Sequence, residues 1–193
     1  KYPAAGGLRM VTSGLVPELT AEAARQASLG AGAKVLKVFS FQVTEDDLDE
    51  IRALRPDIFL LVGGTDGGNT ECILHNARML ARMEFDFPVV IAGNRVAARE
   101  CERILAGHDV SVCENVMPKF GVLNIEPTQK RIREIFLSRI IQAKGLSRAA
   151  QLISGILIAA EGAVMDTAMS IASAMTELKA KRPDTVSYTH LTL

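Results

Sequence analysis

The run Ile58-Phe59-Leu60-Leu61-Val62 stops at Gly63-Gly64-Thr65-Asp66-Gly67-Gly68-Asn69, and this junction constrains the fold more than any other stretch. A short aliphatic and β-branched run that ends abruptly at glycines reads as a buried parallel strand. The residues behind the loop, Glu71 to Arg82, have helical spacing. Glycines at 63, 64, 67 and 68 allow positive φ and let backbone N–H groups converge on an anion at the start of that helix. Ligands of open α/β sheets bind beyond the carboxyl ends of the strands. The loop is therefore the first place to look for a site.

The same alternation recurs along the chain. Thr20 is expected to cap a helix over Ala21–Leu29, ended by Gly30-Ala31-Gly32, and Lys34–Phe41 reads as a strand. Thr44 with Asp47 forms a capping-box start for a helix with the apolar stripe Leu48, Ile51 and Leu54, closed by Pro56-Asp57. The helix after the glycine loop carries Ile73, Leu74, Ala77, Leu80 and Ala81. A strand at Pro88–Ala92 ends in Gly93-Asn94, a helix runs from Arg95 to Leu105, and Asp109–Cys113 is a further strand. Strand, loop and helix thus recur with a period of roughly 30 residues. The fold class is α/β: a parallel, Rossmann-like sheet of about three to four strands with right-handed crossovers and flanking helices.

The character changes after Asn124-Ile125-Glu126-Pro127. Thr128–Ala143 reads as a long amphipathic helix with Ile132, Ile135, Phe136, Ile140 and Ile141 as its apolar positions. Another helix, rich in Ala and Met, is expected over Ala163–Lys181. These helices either cover the sheet or begin a second lobe. The domain reading is an α/β domain over 1–126, a helical segment over 127–182 leading to a second lobe, and a non-native or disordered tail over 183–193. Ser187–Leu193 breaks the helical pattern, and the first residues enter without an initiator Met, so a fragment is expected.

Twenty-two basic and 22 acidic residues give no net charge, which argues against broad nucleic-acid or anionic-membrane binding. No apolar stretch reaches the roughly 18–20 residues needed to span a bilayer. The N-terminus lacks the charged and apolar regions of a signal peptide. A soluble, cytoplasmic protein is expected. Cys72, Cys101 and Cys113 form no CxxC and read as buried thiols in a reducing compartment.

Three predicted strands end in polar residues: Thr65-Asp66, Asn94, and Glu114-Asn115. As parallel neighbours they should line one crevice. Asp66 is the one catalytic candidate, as a base, as the orienter of a magnesium-bound water or as a partner of a hydroxyl, while Thr65 and Asn69 are candidate phosphate donors. The structural alternative makes Asp66 an Asx turn and Asn69 a helix cap. Ligand contact is assigned to Gly63, Gly64, Thr65, Asp66, Gly67, Gly68, Asn69, Asn94, Glu114 and Asn115. The loop matches neither GxxxxGK[ST] nor GxGxxG, and no lysine follows it. His75 reads as a structural histidine and His108 as a loop residue. No HExxH and no paired Cys or His indicates a metal, and no GxSxG marks a serine hydrolase. Arg131, Arg133, Arg139, Lys144 and Arg148 form a basic strip read as a solvated helix face.

Several ordered motifs carry a resemblance. They are Ala4-Ala5-Gly6-Gly7-Leu8-Arg9-Met10, Gly14-Leu15-Val16, Thr20–Ala24 and Gly30–Val35, then Gly63–Asn69, Leu74–Ala77 and Ala92–Asn94, then Glu114–Pro118, Glu134–Leu137 and Ala143–Leu146. Together these resemble the MutL-type accessory proteins of glutamate (methylaspartate) mutase, which are distinct from the mismatch-repair protein of similar name. The resemblance covers roughly residues 4–178. It implies the actin-like ATPase fold shared by sugar kinases and Hsp70 chaperones, and a reactivating or chaperone-like role toward adenosylcobalamin-dependent mutase subunits. It also implies ATP and Mg2+ as cofactors of the complete protein. The Asp-x-Gly-x-Thr phosphate loop expected near a complete member's N-terminus, and the second one downstream, are read as missing, so the fragment alone is not expected to hydrolyse ATP. None of His75, His108 and His190 lies in an Asp-x-His-x-x-Gly setting, so cobalamin ligation by histidine is not expected. A kinase-like phosphotransferase and a passive mutase-docking module are the alternatives.

Overall fold

The computed structural model describes residues 7–143; the readings made for residues 1–6 and 144–193 lie outside the described residues. Ten elements alternate along it: β1 (Leu8–Gly14), α1 (Pro17–Ser28), β2 (Ala33–Ser40), α2 (Glu45–Leu54), β3 (Ile58–Leu61), α3 (Glu71–Leu80), β4 (Val89–Ile91), α4 (Arg95–Ile104), β5 (Val110–Val112) and α5 (Glu126–Ala143). The five strands form one sheet in the order β2-β1-β3-β4-β5. Every pairing is parallel. This is one of the two common doubly wound orders.

Strand periodicity places the two halves of the core. Phe59 and Leu61 face α2, α3 and α4 and pack with Val11, Leu48, Ile73 and Cys101. Ile58 and Leu60 face the other way, toward Ala23 and Ala27 of α1 and Ile132 and Ile135 of α5. A strand buried on both faces has no polar positions, which is why the Ile58–Val62 run is continuously apolar. Residues 127–143 continue α5, and its buried stripe covers the sheet beside α1.

Three elements differ from the sequence expectation. β1 is a central strand, so the sheet has five strands, not three to four. Its polar residues disguise it. Thr12 is fully buried, but its Oγ1 donates to the Leu60 carbonyl at 2.9 Å. Arg9 reaches the strand's end, where its Nε donates to Asp57 Oδ2 at 3.1 Å. Helix α1 starts at Pro17 rather than Ala21, with proline in the first turn, where its missing N–H costs nothing. Thr20 is consequently a buried helical residue and not a cap. The basic strip on α5 is not merely solvated. Arg131 donates to Ser111 Oγ at 2.7 Å and Arg133 to the Gly30 carbonyl at 2.8 Å, tying α5 to β5 and to the α1–β2 turn.

The capping box of α2 forms as expected, with Thr44 and Asp47 satisfying each other's backbone N–H groups. No helix among the described residues is long and apolar enough to cross a membrane.

Candidate functional site

The strand order reverses between β1 and β3. The chain leaves β1 toward α1 on one face of the sheet and leaves β3 toward α3 on the other. Loops that part in this way open a crevice at the carboxyl ends of the strands. A cavity of about 260 Å³ lies there. Its walls come from the loop after β1 (Leu15, Val16), from α1 (Leu19, Thr20, Ala23) and from the glycine loop after β3. The segment after β5 closes it with Asn115, Val116, Met117 and Phe120.

Of the ten residues assigned to ligand contact, Gly63, Gly64, Thr65, Asn69 and Asn115 line the cavity; Asp66, Gly67, Gly68, Asn94 and Glu114 do not. The structure still brings the strand ends together. Asn94 is fully buried beneath the loop. Its Oδ1 accepts from Gly67 N at 3.2 Å and from Val96 N at 3.0 Å, and its Nδ2 donates to the carbonyls of Gly68 and Asn69, both at 3.1 Å. Asn115 Nδ2 donates to the Gly64 carbonyl and to Asp66 Oδ1, each at 3.0 Å, while its Oδ1 accepts from Met117 N. Both side-chain amides are used up in holding the loop.

Asp66 is committed as well. Its Oδ1 also accepts from Arg95 N at 3.0 Å, at the first turn of α4, where the helix dipole favours a carboxylate. Asn69 Oδ1, one residue ahead of the N-cap Thr70, accepts from Cys72 N in the first turn of α3 at 3.1 Å. Glu114 accepts from Asn124 Nδ2 at 2.9 Å, outside the cavity. His75 Nε2 lies 3.0 Å from the Val43 carbonyl, and His108 stacks on Phe85 with ring centroids 3.9 Å apart.

One match escaped the sequence reading. Asp66-Gly67-Gly68-Asn69-Thr70 fits the pattern Asp-x-Gly-x-Thr. Three of its five amides are engaged within the protein. Asp66 N donates to the Pro118 carbonyl at 3.0 Å, Gly67 N to Asn94, and Gly68 N to the Thr65 carbonyl at 2.9 Å. These amides point into the protein, where an incoming anion would have to break existing bonds to reach them. Among the described residues no charged side chain lines the cavity beside them. Among the described residues there is no group of His, Cys, Asp and Glu placed to hold a metal ion.

Comparison with known proteins places the chain. The family model described as MutL protein matches residues 3–182. The chain belongs to the MutL protein family. It is 52% identical over 171 residues to Protein MutL of Clostridium tetanomorphum, an overlap of 88% of this chain and 37% of that protein. The chain therefore spans little more than a third of the length of that relative. Among solved structures, it is similar to the signal receiver domain of the response regulator NarL from Mycobacterium tuberculosis, with 15% identity, TM-score 0.44, and 66% and 94% of the two chains covered. It is also similar to the methanol:cobalamin methyltransferase complex MtaBC from Methanosarcina barkeri, with 12% identity, TM-score 0.44, and 67% and 53% covered. Both likenesses are too distant to inform the site.

Proposed function

We propose that this MutL-family chain is part of an accessory protein of adenosylcobalamin-dependent glutamate mutase. In this reading the complete protein is an ATP-dependent reactivating or chaperone-like factor built on an actin-like ATPase fold. The observation that carries it is the 52% identity with Protein MutL across most of this chain. ATP and Mg2+ would be handled mainly by parts of the protein beyond these 193 residues, because the Asp-x-Gly-x-Thr match here has three of its amides and one carboxylate oxygen engaged internally. The α/β unit would supply a ligand or docking site through the cavity at the β1–β3 reversal. Asp66 then acts as a positioning residue, which disfavours the phosphotransferase alternative that needs it as a base.

The test uses the complete protein with cofactor-inactivated glutamate mutase, free adenosylcobalamin, and Mg-ATP present or absent. Recovery of mutase activity only with Mg-ATP is the expected result. Equal recovery without nucleotide would favour a passive docking module, and no recovery in either condition would overturn the reactivating role.

A further inference from the structure

We infer that the cavity at the β1–β3 reversal binds an uncharged, flat heteroaromatic ring covered by Phe120, and not a phosphate. The lining decides the charge. Among the described residues its lining side chains are aliphatic, aromatic, hydroxyl or amide, without a lysine, arginine, histidine or carboxylate. An anion placed there would lose its hydration without a charged side chain of the lining to offset the loss. An apolar pocket with a few polar groups at a sheet's reversal point is the ordinary design for a small organic ligand.

Size and shape narrow the class. At about 260 Å³ the cavity falls just below the volumes of drug-sized sites, so one or two rings suit it. Phe120 lines the cavity yet is 82% exposed. It sits in a tight reverse turn, in which Val122 N donates to the Lys119 carbonyl at 3.0 Å and Gly121 has φ 74°. A large aromatic held out by a turn over a hollow gains most from a partner with a flat face. The polar edge of such a ring has partners too. Among the described residues, the Oγ1 atoms of Thr20 and Thr65 and Nδ2 of Asn69 make no side-chain hydrogen bond, and all three residues line the cavity.

The inference rests on the part of the proposed function that makes this cavity a ligand site, and its test needs neither mutase nor ATP. Binding to the 193-residue chain is followed by NMR with indole and purine as ring probes. N-acetyl-leucinamide serves as an aliphatic side-chain mimic and inorganic phosphate as the anion. Both rings should bind at the cavity, the leucine derivative clearly more weakly, and phosphate should not compete. Phe120→Ala and Phe120→Leu should each weaken ring binding by about five-fold or more, and Phe120→Tyr should keep it. Thermal melts of these variants should match the wild type, because the side chain is exposed. The inference is overturned if neither ring binds at millimolar concentration, if phosphate displaces the ring, if the leucine derivative binds equally well, or if Phe120→Leu retains full affinity.

Discussion

Asn94 and Gly64 meet on one carbonyl oxygen. Asn94 Nδ2 donates to the Asn69 carbonyl at 3.1 Å, and the same oxygen lies 2.2 Å from where a Cβ on Gly64 would stand. Gly64 also has φ 70°, so any side chain there meets both strain and a backbone clash. We expect Gly64→Ala to destabilise the chain by about 2–5 kcal/mol. Asn94→Ala, which strips the loop of its buried partners, should cost about 2–4 kcal/mol. Gly67 has φ 76° but nothing within 4 Å of its would-be Cβ, so Gly67→Ala should cost only about 1–2 kcal/mol. Urea unfolding of the three variants checks the order. Equal small losses would mean that the loop is not stitched in this way.

Asp66, the catalytic candidate, has one carboxylate oxygen bonded within the protein. It accepts from Arg95 N and Asn115 Nδ2, with the Arg95 guanidinium 3.9 Å away and mostly exposed. Asp66→Ala should therefore destabilise by about 1–2 kcal/mol through loss of a cap and exposure of partners. Asp66→Asn retains an acceptor and should cost about half as much. In the complete protein Asp66→Asn should leave any nucleotide turnover within about two-fold, whereas a general base should lose 10²–10⁴-fold. Steady-state turnover beside a urea titration separates the two roles.

The strand–loop–helix rhythm was legible because apolar runs bounded by glycine, proline and asparagine mark buried parallel strands locally. β1 was not, since its burial depends on partners far along the chain: Leu60 for Thr12 and Asp57 for Arg9. The site was half legible. Glycine content located the loop, and the three strand ends do converge, with Asp66, Asn94 and Asn115 in one hydrogen-bonded cluster. Sequence could not tell whether those amides and carboxylates face a ligand or each other. Nor could it find the apolar wall, because Leu15, Leu19, Met117 and Phe120 carry no local signal until α1 and the β5 loop are folded beside β3.

The Arg9–Asp57 pair joins β1 to β3 and gives the chain an acid-sensitive bond. Burial raises the Asp57 carboxyl, but hydrogen bonds from the Arg9 side chain and backbone outweigh it and hold the group below the usual carboxylate range. A carboxyl depressed on folding stabilises above its unfolded pKa of about 3.9 and loses that contribution as pH falls through the folded value. Asp57→Asn should thus cost about 1–2 kcal/mol at pH 7, moderated by the part-exposed guanidinium. The gap between wild type and variant should close progressively as pH falls below about 4. Unfolding midpoints across that range check it; a pH-independent gap would mean that the variant acts through packing alone.

The three thiols should report burial in a fixed order. Cys101 is fully buried against the sheet, and desolvation pushes its thiol up to about 11. Desolvation also raises Cys72 and Cys113, but Cys113 alone is part-exposed. The thiolate is the reactive form, so at pH 8 only roughly a thousandth of Cys101 is ionised in the folded chain. A disulfide reagent should label Cys113 first and Cys72 more slowly, and Cys101 only at the rate of unfolding. The same shift carries a stability consequence. From the unfolded pKa of about 8.5 upward, the unfolded chain releases the Cys101 proton before the folded one does, so stability should fall as pH rises toward 11. Cys101→Ala should flatten that alkaline slope while lowering stability at pH 7 through the small cavity it leaves. Labelling at equal rates, or an unchanged alkaline slope in the variant, would show that Cys101 is not sealed into the core.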